Sequence, residues 1–114
     1  MSDKSEALIQ QEIVVWFKNN YCLKHHEPQA VIFSVPNERE GYQIMRKLLL
    51  TGLMSGVSDL IIILEGRVLF IEVKTKTGTQ SKTQKSFQKK VERLGFPYYL
   101  VRSLENFEEI IKEI

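Results

Sequence analysis

The chain has one cysteine, Cys22, among 114 residues, so no internal disulfide forms and no thiolate cluster holds zinc. Histidine is nearly as scarce. His25 and His26 are the only two; adjacent side chains diverge, which makes them a poor start for a metal site of the imidazole type. The longest aliphatic run, Leu60 to Leu64, is far shorter than the roughly 20 apolar residues that cross a bilayer. The opening MSDKSEAL is polar and lacks the apolar core of a secretory leader, so the expected location is cytoplasmic. Repeats, low-complexity tracts and linker-like stretches are also missing. What remains is 43% apolar composition, enough for one compact domain, residues 1–114, with its stability drawn from packing.

Charge is unevenly spread behind a net +2. From Lys74 to Arg93 seven basic residues (Lys74, Lys76, Lys82, Lys85, Lys89, Lys90 and Arg93) stand against Glu92 alone, whereas the segment after Leu104 carries four acids against Lys112. A basic block in an otherwise balanced chain suits a polyanionic partner, although a solvated helix face has the same composition.

Apolar periodicity predicts a helix over residues 5–19, with Glu12 four residues after Leu8 and four before Trp16, on the apolar line. VIFSV (31–35) reads as a strand ended by Pro36. A second helix follows, opened by a capping box of Asn37 and Glu40 and stopped at Gly52. DLIIIL and RVLFIEVK form a hairpin about Glu65-Gly66, residues 80–94 a helix, YYLV (98–101) a strand, and 104–113 a final helix. The order α-β-α-β-β-α-β-α predicts an α/β fold, a central mixed β-sheet flanked by helices.

The hairpin poses a chemical question. With a two-residue turn, Leu64 pairs with Arg67 and Asp59 faces Glu72. Like charges directly opposed on one face of a strand pair repel at a Cβ separation of about 5 Å. Lys74 shares that face and offsets part of the repulsion; a divalent cation between the carboxylates would offset more. Two carboxylates, a lysine and a basic approach surface match metal-assisted phosphodiester hydrolysis, with a hard cation such as Mg²⁺ taking oxygen ligands and keeping several waters.

At these residues the sequence resembles the PD-(D/E)XK nuclease superfamily, with Asp59 as the first acid and Glu72-Val73-Lys74 as the ExK element. The surrounding landmarks narrow the resemblance to the VRR-NUC family of virus-type replication and repair nucleases. They are an early helical Glu (Glu12), an Asn before the second helix (Asn37), a "G…GxPDL" stretch (Gly52 and GVSDL, 56–60), ExK, and a downstream helical Gln (Gln84). Ser58 stands where the family usually has proline. The resemblance implies a restriction-endonuclease-like core and DNA cleavage dependent on Mg²⁺ or Mn²⁺. It implies metal binding by Asp59, Glu72 and the Val73 carbonyl, with Lys74 positioning or activating water, Glu12 assisting the metal or its water, and Gln84 orienting the site. Small stand-alone members resemble Holliday-junction resolvases and tend to be homodimers, and a phage or prophage origin is compatible with the likeness.

Blander readings stand beside these. Glu12 suits a helix-edge carboxylate, Gln84 a polar residue at the rim of the core, Asn37 a helix cap rather than a DNA contact, and Lys76, Lys82, Lys85, Lys89 and Lys90 a solvated surface rather than a phosphate-binding one. Helix 39–51 carries more apolar surface than one contact face needs, which suggests a homodimer contact. For the whole chain, the expected activity is cleavage of structured or branched DNA in replication, repair or recombination. A monomeric flap or single-strand nuclease and a catalytically silent nucleic-acid-binding module are the alternatives.

Overall fold

The computed structural model describes residues 4–35, 50–52 and 54–114. The first helix, α1, spans Glu6–Tyr21. Ser5 caps it, its Oγ accepting a hydrogen bond from the Leu8 N–H at 3.1 Å and satisfying one donor that the first turn leaves free. Ile9, Ile13 and Phe17 form its buried line, whereas Leu8 is 42% exposed. This corrects the expected placement of Glu12. The apolar pairs Leu8/Ile9 and Trp16/Phe17 are compatible with two lines about 100° apart on the helix. The line through Leu8 and Trp16 would bury the Glu12 charge, while its neighbour offers Ile13 at that level. The helix buries the Ile13 line and leaves Glu12 on the shoulder, 2.8 Å from the Lys4 ammonium.

Four strands follow in spatial order β1-β2-β3-β4. They are β1 (Val31–Ser34), β2 (Leu60–Leu64), β3 (Arg67–Val73) and β4 (Tyr98–Val101). The first three are antiparallel, and β4 joins β3 in parallel, so the sheet is mixed. The crossover between β3 and β4 carries α2 (Lys82–Arg93), and α3 (Leu104–Lys112) ends the chain. The hairpin register is the one that the two-residue turn requires, from Leu64 against Arg67 to Leu60 against Ile71. Gly66 supplies the φ of +70° at the turn, a conformation that costs glycine little. The expected second helix from Asn37, with its cap and its proposed dimer contact, lies outside the described residues except for Leu50 to Gly52.

Strand alternation sorts the side chains onto two faces. On one, Leu60, Ile62, Leu69, Ile71, Val73 and Val101 pack with Ile9, Ile13 and Phe17 of α1 and with Phe107 and Ile111 of α3. Phe107 meets Trp16 and Phe17 edge to face, at ring separations of 5.9 and 6.1 Å. On the other face Phe70 and Tyr98 meet Phe87 and Val91 of α2, together with Val57. Glu72 follows Phe70 by two residues and therefore belongs to the α2 side. The GVSDL segment is locked to that helix at Gly56. There φ is +82°, and a Cβ would overlap the Thr83 carbonyl and stand 2.9 Å from the Gln84 nitrogen.

Gly56→Ala is therefore expected to destabilise the fold more than Gly66→Ala. The latter meets open space and carries only the left-handed backbone penalty of about 1 kcal/mol. Urea unfolding of the two variants measures the difference.

Candidate functional site

Asp59 lies just before β2, and Glu72 is one residue from the end of β3. Continuing the ladder one step beyond Leu60 and Ile71 sets them opposite each other. Asp59 is held from both sides: its backbone carbonyl accepts from Val35 N at 3.0 Å, and its Oδ2 accepts from Val73 N at 2.7 Å. A carboxylate bound to a main-chain N–H has its direction set by the strand itself. Ser58, in the position of the family's usual proline, is fully buried. Its hydroxyl donates to the Leu60 carbonyl at 3.2 Å, so the added polar group does not go unpaired.

Glu72 is 1% exposed. Its two oxygens differ sharply. Oε2 accepts a hydrogen bond from Gln84 Nε2 at 2.9 Å and lies 3.7 Å from the Lys74 ammonium. Oε1 is buried and has no hydrogen-bond partner among the described residues, a state that costs about 1–3 kcal/mol or more for a carboxyl group. Burial first, then the charge and hydrogen bonding of Asp59, drive the Glu72 pKa up from 4.5 to about 8, against the opposing pull of Lys74; Glu6 adds a further upward push.

Gln84 does two jobs with one amide. Its Oε1 accepts from Ser81 N at 2.8 Å, completing the capping box of α2, and this turns Nε2 toward Glu72. The helix start thereby fixes the amide that the carboxylate receives. Just ahead of the same helix start, Gln80 Nε2 donates to the hydroxyl of the buried Tyr98 at 3.1 Å; burial, then the Glu72 charge, raise the Tyr98 pKa.

The structure brings Asp59, Glu72, Lys74 and Gln84 together and leaves Glu12 apart. Glu12 borders a depression with Lys4, Lys76 and Arg102. Another α1 carboxylate is better placed: Glu6 and Asp59 line one cleft of about 620 Å³, and Glu6 also acts on Glu72 electrostatically. The signal was present in the sequence, because a Ser5 cap puts Glu6 at the first helical position, where carboxylates are favoured. Choosing between Glu6 and Glu12 required knowing which end of α1 meets the strand ends. Asn37 lies outside the described residues. His26 accepts from Leu23 N at 2.8 Å and borders a depression with Glu65 and Arg67, at the hairpin turn and away from the carboxylates.

Lys76, Lys82, Lys85, Lys89 and Lys90 are all exposed. With Phe87 and Val91 turned into the sheet, Lys82, Lys85, Lys89 and Arg93 form a stripe about 16 Å long on the opposite side of α2. It starts at the helix end that carries Gln84.

The family model of the VRR-NUC domain matches residues 4–105. The chain belongs to the VRR-NUC family. A solved structure of a VRR_NUC domain protein has a TM-score of 0.77 at 20% identity, covering 99% of this chain and 89% of that one. At that identity the likeness is one of fold. No curated protein matches the chain. Family membership identifies a nuclease domain of the PD-(D/E)XK type, which implies a DNA substrate. Among the described residues no helix of this VRR-NUC domain is long and apolar enough to cross a membrane.

Between pH 4.5 and about 8 the folded VRR-NUC domain retains a proton on Glu72 that the unfolded chain has released. Stability without metal should therefore fall as pH rises through that interval, by an amount on the order of a few kcal/mol. Chemical denaturation in EDTA from pH 4.5 to 8.5 checks this, and Glu72→Gln, which is uncharged throughout, should flatten the slope.

Proposed function

We propose that the domain is a metal-dependent endonuclease that hydrolyses phosphodiester bonds in structured or branched DNA, acting as a homodimer in replication, repair or recombination. The observation that carries the metal is Glu72 Oε1, a buried carboxylate oxygen without a partner among the described residues, on the strand end opposite a second carboxylate. A divalent cation answers both the unmet oxygen and the repulsion. The protein offers two carboxylates there, Asp59 and Glu72. This suits Mg²⁺, which typically binds through one or two carboxylates and fills its remaining positions with water and substrate phosphate. Asp59, Glu72 and the Val73 carbonyl are the protein ligands in this reading; Mn²⁺, with similar oxygen preferences, substitutes.

When bound, the cation supplies Lewis-acid polarisation of the phosphate and acidifies water. The chain's own residues supply position. Asp59 is aimed by the Val73 N–H. Glu72 is held through Oε2 by Gln84, leaving Oε1 for the ligand. Lys74, 9% exposed, is anchored beside Glu72 and donates to the attacking water or to phosphate oxygens as charge develops. Glu6, in the cleft with Asp59, takes the accessory role first expected of Glu12. The exposed stripe on α2 carries the flanking duplex through phosphate contacts, which position without reading sequence. Symmetric cleavage of a branched substrate requires two such sites, hence the dimer.

Duplex, single-stranded, flap and four-way-junction DNA incubated with the protein in Mg²⁺, Mn²⁺ and EDTA tests the reading. Cleavage should need the metal, favour the branched substrates and fall by at least about 100-fold in Asp59→Ala and in Lys74→Ala. Glu6→Gln should lower the rate strongly, while Glu12→Gln should leave it close to wild type. Binding without cleavage in either metal would instead point to a silent binding module. Sedimentation at concentrations of tens of micromolar, a typical range for self-association, should show a dimer; a monomer there would remove that part of the proposal. Replacing Lys85 and Lys89 together with alanine should weaken DNA binding and reduce the slope of log affinity against log salt by about 1 to 2.

A further inference from the structure

Lys74 N donates to the Val101 carbonyl at 3.0 Å, the last main-chain bond between β3 and β4. The chain then leaves the sheet and must reach Ser81 at the start of α2 with two working side chains in place, Lys74 at one end and Gln84 just past the other. Three carbonyls of this connection converge on a single nitrogen. The two N–H groups of Arg102 Nη1 donate to the oxygens of Thr75 and Gly78 at 2.7 and 2.8 Å, with the Lys76 oxygen sharing a donor at 3.3 Å. The loop is closed further by Gly78 N, which donates to the Thr75 carbonyl at 3.2 Å and to Thr75 Oγ1 at 3.1 Å. Gly78 in turn borders the lysine: a methyl group built there would stand 3.6 Å from Lys74 Cδ, so the side of Gly78 that lacks a side chain is turned toward the lysine stem. Arg102 thus holds by hydrogen bonds the loop whose Gly78 is the neighbour of the aliphatic stem of Lys74.

We propose that Arg102 is a positioning residue for Lys74, holding the Thr75–Gly78 loop as the support against which the lysine stem rests. The proposal rests on the nuclease reading of the site. Arg102 is exposed, so its removal takes nothing from the core, and its reach comes from β4, the neighbour of the strand that ends in ExK. The guanidinium is more weakly hydrated than an ammonium and holds its terminal N–H groups in fixed directions, whereas a lysine at the same position is a compact, strongly hydrated charge. Loss of Arg102 leaves three carbonyls to solvent and lets the loop move away from Lys74. A displacement on the order of 1 Å at a reacting group lowers a rate by up to about 100-fold without touching substrate affinity.

The test uses the full chain with the DNA that the wild type cuts best. Arg102→Ala should reduce kcat by about 10- to 100-fold, with DNA affinity within about twofold of wild type and the thermal transition retained. Millimolar guanidinium should restore part of the rate, while sodium chloride of equal ionic strength should not. Hydrogen exchange at the Gly78 N–H should speed up in the variant, and trypsin should cut more readily after Lys76. Arg102→Lys, which keeps the charge and guards against a variant that fails to fold, should show the same loss in kcat to a smaller degree. Unchanged kcat in both variants overturns the proposal. So does a loss confined to DNA affinity, which would make Arg102 a phosphate contact, or a loss that guanidinium does not relieve while loop exchange stays at the wild-type rate. A wild type that cuts nothing overturns the nuclease reading itself, and is distinguishable from failure of the Arg102 role alone, in which the wild type cuts and Arg102→Ala cuts equally well.

Discussion

Two carboxylates held opposite each other at the end of a hairpin constrain most of what surrounds them. Glu72 is almost fully buried beside Asp59, and neither burial nor the neighbouring charge favours an ionised group there. The fold tolerates this by surrounding the pair with donors: the Val73 N–H for Asp59, and the Gln84 amide and the Lys74 ammonium for Glu72. Two come from the end of β3 and the third from the first turn of α2. Among the described residues the arrangement falls one donor short, at Glu72 Oε1, and that unmet oxygen is the feature on which the proposed cation site rests.

The layers of the fold divide their work accordingly. The sheet face packed on α1 and α3 holds most of the apolar core, so the strands next to Asp59 and Glu72 are anchored from behind. The opposite face is only partly apolar. Its small cluster of Phe87, Val91 and Tyr98 is enough to seat α2, whose first turn then delivers Gln84 to the carboxylate. Gly56 allows that turn to approach the GVSDL backbone closely, and Arg102 ties down the connection between ExK and the helix. One crossover, β3 to α2 to β4, therefore sets Glu72, Lys74 and Gln84 together, while its exposed basic stripe leads away from them.

Much of this was legible from residue order. Elements with sharp boundaries, such as YYLV and the Ser81-capped helix, follow from local pattern and turn chemistry. The Asp59–Glu72 pairing follows from a two-residue turn, because strand register is arithmetic once the turn is set. VRR-NUC landmarks marked Gln84, and the structure shows the hydrogen bond by which it reaches the site. Glu12 was different. Its periodicity fitted two helix lines equally well, and packing against the sheet chose the one that spared its charge.

The sequence by itself determined the order of the described elements, the hairpin register and the chemical character of the strand ends, since these depend on spacing along a single chain. Tertiary structure alone decided which α1 carboxylate shares a cleft with Asp59, which Glu72 oxygen stays unpaired among the described residues, and that Arg102 closes the loop next to Lys74. Those outcomes depend on the rotation of a helix about its axis and on contacts between residues 24 or more positions apart, and no local pattern encodes either.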